Sequence, residues 1–285
     1  MKIYYPFLLL LLVVSCKFEN SSHKSSTHTS KNQDLLQLHL KKGDTYSIDF
    51  STTQDIGQSI LGKKIGIKQQ IDIQLLMQVI NVDDTSNHFT ITYKHLHMNQ
   101  DAMGKSVSFD SDKPNQKIPA PLQQLMHLKD KQFHVHCGHT GNIIAITDQQ
   151  EQPISDSTLK NMLESSMHIY PDHAVSEGAT WNNEHKNNLN GMAILVNQNT
   201  YTLLNQSNEK ATLKLQSKVT TIQSEQEKSI MNLEGTQDGE LSIDTHTGMI
   251  ISSEIKQHFN GKVAMQGIKV PIQIEGTVVQ KCTKL

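Results

Sequence analysis

The segment IDIQLLMQVINVD, from Ile71 to Asp83, decides the class of this fold because apolar and polar residues alternate along it. The odd-numbered residues from Ile71 to Val79 are all apolar, whereas Asp72 and Gln74 interrupt them. Successive side chains of a strand point to opposite faces of a sheet, so this period of two indicates a strand with one buried and one solvated face.

Four other segments repeat this period, and polar or glycine-containing breaks separate them. They are HFTITYKHLHM (88–98), KATLKLQSKVTTI (210–222), GMIISSEIKQHF (248–259) and VPIQIEGTVVQ (270–280). Consecutive strands with one wet face are typical of an antiparallel meander. The sequence therefore predicts a mainly β (α+β) fold.

Two segments carry a helical pattern instead. In SDSTLKNMLESSMHIYP (155–171), Ser155 or Ser157 can cap the amino end, and the helix has to stop before Pro171. Its apolar residues near helical spacing are Leu159, Met162, Leu163 and Met167. A shorter stripe occurs in APLQQLMHLKD (120–130). We predict one or two short helices on the concave side of the sheet, with their methionines as ordinary core residues.

An internal repeat divides the chain. KGDTY (42–46) matches EGATW (177–181), and HTGNII (139–144) matches HTGMII (246–251). The first pair is 135 residues apart and the second 107, so the first half holds 28 more residues between its marks. An insert at 111–131 can supply most of this excess. We predict two related antiparallel β-meander halves, 35–154 and 155–285, that form a curved, half-barrel-like sheet.

The amino-terminal segment MKIYYPFLLLLLVVSC has the pattern of an export signal, with one lysine before an apolar run too short to span a bilayer as a helix. The run ends in VVSC, which resembles the bacterial lipobox, where cleavage exposes a cysteine that then carries acyl chains. We predict a signal peptide over 1–15, lipidation of Cys16 and a flexible, Ser- and Lys-rich tether over 16–34. The alternative is an ordinary secretory signal whose cysteine is accidental.

Bulk composition excludes several classes of function. The net charge of −2 and the absence of arginine remove the basic field that nucleic-acid binding needs and the bidentate clamps that fix phosphates and carboxylates. We therefore expect no nucleic-acid partner.

The segment FHVHCGH (133–139) raises the question of a metal site. As a strand followed by a turn, it directs Cys137 to the core and His134 and His136 to solvent. His139 then belongs to an HTG turn, whose glycine supplies a positive φ.

A four-histidine zinc site is conceivable, because His95 and His97 form a second pair like His134 and His136. With fifteen histidines in the chain, accidental pairs are common. We favour a solvated polar face and expect neither a metal nor another cofactor.

The sequence offers no catalytic constellation. It has no nucleophile elbow, phosphate-binding loop or HExxH helix, and Asp83 and Asp84 have the pattern of a turn. We expect no enzymatic activity and name no catalytic residue. Cys137 and Cys282 either pair in an oxidising compartment or remain buried thiols.

The stretches LHLKKGDTYSIDF (38–50) and YPDHAVSEGATW (170–181) resemble an uncharacterised family of Bacteroidota-type lipoproteins. Its marks fall here at Leu40, Lys42, Gly43 and Tyr46, and at Pro171, Gly178 and Trp181. The architecture looks like that of the lipoprotein carriers LolA and LolB, in which a curved antiparallel sheet lidded by helices shelters acyl chains. The resemblance implies no activity.

Two functions follow as expectations. The first is a membrane-anchored structural or interaction protein of the bacterial cell envelope, on the periplasmic or surface face of the outer membrane, whose polar face meets a protein partner. The alternative is a carrier that holds a lipid or another hydrophobic ligand inside the curved sheet.

Overall fold

A computed structural model describes residues 35–60, 62–113, 116, 118, 126, 128–154, 157–188, 193–222, 231–265 and 268–285. Within these ranges the chain forms twelve strands of one sheet, with antiparallel neighbours, and one helix. The strands are β1 (Thr45–Ile60), β2 (Lys63–Val82), β3 (Ser86–Ala102), β4 (Lys105–Asp110), β5 (Gln132–Gly138), β6 (Ile143–Thr147), β7 (Thr180–Asn188), β8 (Ile194–Gln206), β9 (Lys210–Ile222), β10 (Met231–Asp244), β11 (Ile250–Met265) and β12 (Ile268–Lys284), and the helix is α1 (Ser157–Met167).

The first strand pairs with the last. Thirteen consecutive residue pairs join β1 to β12, from Tyr46 opposite Lys284 to Gln58 opposite Ile272. From this join, β2, β3, β5 and β6 follow on one side and β11 to β7 follow on the other, while β4 pairs with the far part of β3. Both predicted halves therefore belong to one sheet, and the boundary between 154 and 155 stays a prediction.

The sheet is curved but not closed. Its two terminal strands are β6 and β7, and α1 contacts both of them. A single eleven-residue helix can reach both ends of a sheet only if the sheet curls around it. The predicted mainly β, half-barrel-like class is confirmed.

The helix prediction is confirmed for the longer of the two segments. In α1, Leu159, Met162, Leu163 and Met167 are all buried, so the stripe that defined the helix faces the core. The shorter stripe at 120–130 lies outside the described residues, apart from Met126 and residues 128–130.

Inward side chains form two apolar clusters at the two ends of the strands. The larger apolar cluster includes Leu36, Leu38, Leu40, Ile48, Leu75, Met77, Phe89, Leu163, Tyr170, Leu213 and Ile243. The smaller apolar cluster comprises Ile56, Ile67, Ala193, Leu195, Val219, Met231, Leu233, Phe259, Val263, Ile272 and Ile274.

The extended segment 35–41 closes the end that holds the larger cluster. The Leu38 N–H donates to the His139 carbonyl at 2.8 Å, and the His39 N–H donates to the Thr247 carbonyl at 2.8 Å. The two HTG turns of the internal repeat thus both accept a hydrogen bond from the same segment, on opposite sides of it. Their glycines have the predicted positive φ, +86° at Gly141 and +70° at Gly248.

The other marks of the repeat also make equivalent contacts. The Gly43 N–H donates to the Val79 carbonyl at 2.9 Å, and the Gly178 N–H donates to the Leu203 carbonyl at 2.7 Å. Val79 and Leu203 belong to β2 and β8, the second strands of the two predicted halves.

We predict that Gly248→Ala destabilises the protein more than Gly178→Ala. Both glycines have a positive φ, which costs a substituted residue about 1–2 kcal/mol. A Cβ at Gly178 meets open space, whereas one at Gly248 would lie 2.0 Å from the Gln37 carbonyl oxygen. This collision should add about 1–3 kcal/mol, measured by urea unfolding. An equal loss of unfolding free energy in the two variants would contradict close packing of the Gly248 turn against segment 35–41.

Candidate functional site

Cys16 lies outside the described residues, together with the predicted signal peptide and tether. The helix in the described part of the chain is not long and apolar enough to cross a membrane.

The predicted orientation of the FHVHCGH strand is correct. His134 and His136 are half-buried on the outward face, Cys137 is buried, and His139 lies in the turn. The His139 imidazole Nδ1 lies 3.2 Å from the Leu38 carbonyl, so its contact is to segment 35–41.

The two histidine pairs do not meet. β5 pairs with β3 through residues 86–92, so His136 stacks on His88, with ring centroids 4.3 Å apart. His97 lies beyond that region and contacts the Asp72 carboxylate at 3.1 Å. A four-histidine zinc site therefore does not form among the described residues.

His95 belongs to a different cluster, with Asp110 and Asp112. Its Nε2 lies 2.9 Å from Asp110 Oδ1, and this contact is the main cause that lowers the pKa of Asp110 to about 2. The Lys129 ammonium lies 2.9 Å from Asp112 Oδ1, and the Lys113 ammonium lies 3.6 Å from Asp110 Oδ2. Lysine ammonium groups therefore lie beside both carboxylates and compete with any cation for the same oxygens.

Cys137 and Cys282 are both free and buried. Burial raises the pKa of each thiol to about 12. Of the two alternatives left by the sequence, the structure has buried thiols, and these are unreactive at neutral pH.

A continuous row of polar side chains crosses the inner face between the two apolar clusters. We call it the inner polar row: Gln100, Gln69, Gln54, Gln257, Gln237, Ser217 and Asn199, on β3, β2, β1, β11, β10, β9 and β8. Each member lies directly opposite the next, except that Gly276 of β12 stands between Gln54 and Gln257. All seven are at most 5% exposed.

His185 and Asn197 lie beside the end of the row, one inward position further along the strands. They lie opposite one another on β7 and β8 and are 0% and 2% exposed. The only charge-bearing candidate among these side chains is His185, because the buried polar residues of the described chain include no Asp, Glu or Lys.

Several atoms of this region have no hydrogen-bond partner among the described residues. Gln100 donates to Gln69 at 3.1 Å, but partners are missing for both ring nitrogens of His185 and for Asn197 Nδ2, Ser217 Oγ and Gln237 Oε1. A buried polar group without a partner costs about 1–3 kcal/mol. Four such side chains on neighbouring strands are more than a filled apolar core usually contains.

The outward face at the same level forms a groove of about 950 Å³. We call it the waist groove. Its first row carries most of the charges and consists of Ser106, Asp101, Lys68, Asp55, Glu275 and His258. Its second row is mostly amides and hydroxyls and consists of Ser108, Asn99, Gln70, Thr53, Thr277 and Lys256. The groove runs across β4, β3, β2, β1, β12 and β11, at right angles to the strands.

The waist groove carries both signs of charge. Lys68 lies opposite Asp55 on β1 and opposite Asp101 on β3, while the His258 imidazole lies 3.6 Å from the Glu275 carboxylate. Ser106 donates a hydrogen bond to Asp101. Side chains of both signs beside neutral amides are suited to binding a polar surface.

Sequence reasoning missed the inner polar row because each strand contributes only one or two polar residues at its inward positions, among apolar neighbours. In β1, Thr52 and Gln54 stand at inward positions where Ile48, Phe50 and Ile56 are apolar. The sequence does show a glutamine at an inward position of β1, β2 and β3. Only the strand register places these three side chains next to one another.

We predict that His185 makes the protein lose stability at acid pH. Burial lowers its pKa to about 2 in the folded state, against about 6.5 in the unfolded chain. The unfolded chain therefore takes up the proton first as the pH falls below about 6.5, and the free energy of unfolding decreases.

Between pH 7 and pH 5, His185→Gln should lose about 2 kcal/mol less free energy of unfolding than the wild type. The control His173→Gln, at a side chain that is 65% exposed, should follow the wild type. An identical pH dependence in all three proteins would show that His185 has a partner that accepts its charge.

Comparison with solved structures shows a fold that resembles part of a much larger protein. The structure described as "Lipid-protein interactions in lipovitellin" aligns with 85% of this chain at 10% identity and a TM-score of 0.52. This chain spans about a quarter of that protein, since the alignment covers 25% of it. The low identity limits the likeness to the fold.

Two further structures align over most of the chain with low scores. An outer membrane channel from Pseudomonas putida F1 aligns with 90% of this chain and 100% of its own, at 6% identity and a TM-score of 0.21. The translocator domain of the autotransporter NalP from Neisseria meningitidis aligns with 85% of this chain and 89% of its own, at 6% identity and a TM-score of 0.24. Both scores are too low to bear on the fold.

No curated protein matches the sequence. A family model, described as a family of unknown function (DUF6263), matches residues 84–151 and 145–250, which together exceed half of the chain. The expectation of an uncharacterised family is thereby confirmed, and the chain belongs to the DUF6263 family of unknown function.

Proposed function

We propose that this protein is a lipid-anchored, non-enzymatic protein of the bacterial cell envelope that binds a protein partner in the waist groove. The observation that carries the proposal is the groove itself, with two rows of polar side chains across six strands. Partner recognition is the first of the two functions expected from the sequence.

The lining of the groove favours a protein partner over a small molecule. Sites for small molecules are mostly apolar and enclosed, with a few polar groups that fix orientation. Here the outward side chains of the lining combine charged groups with amides and hydroxyls. Such a surface can satisfy the exposed backbone and charged side chains of a polypeptide, and charges of both signs set its orientation.

The tether would hold this groove close to a membrane. Residues 17–34 number eighteen and are rich in Ser, Thr, Asn and Lys, which is the composition of the tether predicted from the sequence. The described chain resumes at 35–41, which the two HTG turns hold at one end of the sheet. An acyl group on Cys16 would then anchor the protein from that end and leave the outward face accessible.

We predict that Cys16→Ser releases the protein from membranes, because no acyl chain can be attached to serine by this route. Fractionation of cells should move the protein from the membrane pellet to the soluble envelope fraction. Ser15→Ala, which keeps a small residue before the cysteine, serves as the control and should stay in the pellet. A Cys16→Ser protein that remains in the pellet would contradict the anchor.

We further predict that a photo-crosslinking amino acid at Thr53, in the groove, yields one discrete adduct in intact cells. The same group at Lys214, an exposed outward position of β9, should yield none. Lys68→Glu should remove the adduct, because it leaves a row of carboxylates with Asp55 and Asp101. Lys214→Glu should leave the adduct unchanged. Adducts at both positions, or an adduct that survives Lys68→Glu, would contradict binding in the groove.

A second candidate is a carrier for a hydrophobic ligand inside the curved sheet. It is supported by two members of the inner polar row, Ser217 and Gln237, whose side-chain oxygens have no hydrogen-bond partner among the described residues. The fold likeness to lipovitellin, a protein whose structure is described through its lipid interactions, points in the same direction.

A further inference from the structure

A second recess adjoins the waist groove on the same outward face. Its volume is about 490 Å³, and it shares Asp55, Lys68, Asp101 and Glu275 with the groove. We call it the glycine pocket, and its remaining exposed lining residues are Gly57, Gly66, Met103, Gly104 and Gln273. Because four lining residues are common to both recesses, a partner that lies in the groove can also reach the pocket.

The floor of the glycine pocket is bare backbone, because Gly57 on β1 lies directly opposite Gly66 on β2. Neither glycine has a positive φ. A Cβ at Gly66 would meet nothing within 4 Å, and one at Gly57 would come no closer than 3.9 Å to the Gln273 carbonyl oxygen. Backbone conformation and packing therefore require neither glycine. A glycine inside a strand weakens it and often marks a place where a ligand or another chain approaches closely.

Met103 adds an apolar side chain to the lining of the pocket. It lies in the turn between β3 and β4, has a φ of +52° and is 61% exposed. Residues other than glycine seldom adopt this backbone conformation. The flexible methionine side chain adapts to groups of different shape. Bare backbone beside an exposed methionine suits the aliphatic stem of a long side chain.

The charges of the pocket are mostly negative. Asp101, Lys68, Asp55 and Glu275 follow one another across β3, β2, β1 and β12, each directly opposite the next. Asp55 and Glu275 are thus carboxylates on directly opposed positions, which destabilises a sheet. Lys68 is the one basic residue among the described lining of the pocket, and His258, 3.6 Å from Glu275, belongs to the waist groove. A further positive charge would therefore be attracted to Asp55 and Glu275.

We propose that the glycine pocket binds a long basic side chain, lysine or arginine, of the protein partner in the waist groove. The aliphatic stem lies over Gly57 and Gly66, and the charged group meets Asp55 and Glu275. Lys68 is left to meet an acidic group of the same partner. This inference rests on the proposed partner function and deepens it by naming the chemistry of the partner.

The dimensions of the groove set the size of a probe. Neighbouring strands lie about 4.8 Å apart, so the six strands of the groove span about 24 Å. An extended polypeptide advances about 3.3 Å per residue, so about seven residues cross the groove. A seven-residue peptide with blocked ends and a single lysine among serines is therefore a suitable probe.

The test is an NMR titration of the full chain with Cys16→Ser, labelled with ¹⁵N and purified without detergent. The lysine peptide should shift the amide signals of Gly57 and Gly66 in a saturable manner. A peptide with norleucine, which keeps the stem without the charge, should bind about fivefold more weakly. A peptide with glutamate in place of the lysine should give no saturable shift.

Glu275→Gln should weaken binding of the lysine peptide about fivefold, because it removes one of the two opposed carboxylates. The side chain is exposed, so the urea midpoint should stay unchanged. Glu240→Gln is the matched control. Glu240 is an exposed outward carboxylate directly opposite Glu254, but it does not line the glycine pocket. This variant should bind the peptide like the parent protein.

Gly66→Thr tests the floor of the pocket. Threonine is favoured in strands and its Cβ has room at this position, so the urea midpoint should be equal or higher. The added side chain fills the floor, so the lysine peptide should bind about fivefold more weakly. Lower stability with unchanged binding would show that Gly66 has only a structural role.

Three results of the titration would overturn the proposal: no saturable shift at Gly57 and Gly66, equal binding of the lysine and norleucine peptides, or unchanged binding in Glu275→Gln. In cells, an adduct at Thr53 that survives Glu275→Gln would leave the partner function standing and exclude the basic side chain. The absence of any adduct at Thr53 would exclude the partner function itself, whereas the titration would still show whether the pocket takes a basic group.

Discussion

The pairing of β1 with β12 is the interaction on which the rest of the structure depends. It joins strands more than two hundred residues apart in the chain through thirteen consecutive residue pairs. Without it, two separate meanders would each expose a long unpaired edge at Tyr46–Gln58 and Ile272–Lys284, which invites aggregation. The entropy lost on closing so long a loop grows only slowly with its length, so a thirteen-pair ladder can offset it.

This join also gives the middle of the sheet its unusual character. β12 carries the register from β1 to β11. On the inner face, Gln54 and Gln257 both lie opposite Gly276 of β12, and on the outer face, Asp55 and His258 both lie opposite Glu275. The strands are therefore polar on both faces at this level and apolar on the inner face on either side of it. Because the middle of the sheet is polar, most of the buried apolar surface lies in the larger apolar cluster, to which segment 35–41 and α1 contribute.

Much of this architecture could be predicted from local pattern. Alternation placed KATLKLQSKVTTI on β9 with the observed bounds, and helical spacing with a cap placed α1 at 157–167 within its predicted segment. The repeated glycines at Gly141 and Gly248 predicted turns because a positive φ is a property of the backbone at one residue. The candidate site was not predictable in this way. Within their own strands, Gln54, Gln69 and Gln100 are only polar residues at inward positions that are mostly apolar.

The sequence by itself determined the fold class, the strands with clear alternation, the longer helix, the two HTG turns and the membership of an uncharacterised family, because each depends on residues close together in the chain or on direct similarity. Only the tertiary structure decided which strands pair, that the histidine pairs do not meet, and that polar side chains from seven strands form one row. Register is set by the cooperative burial of whole sheet faces and by long-range hydrogen bonds. The residues of one strand alone do not show which strand it pairs with or in which register.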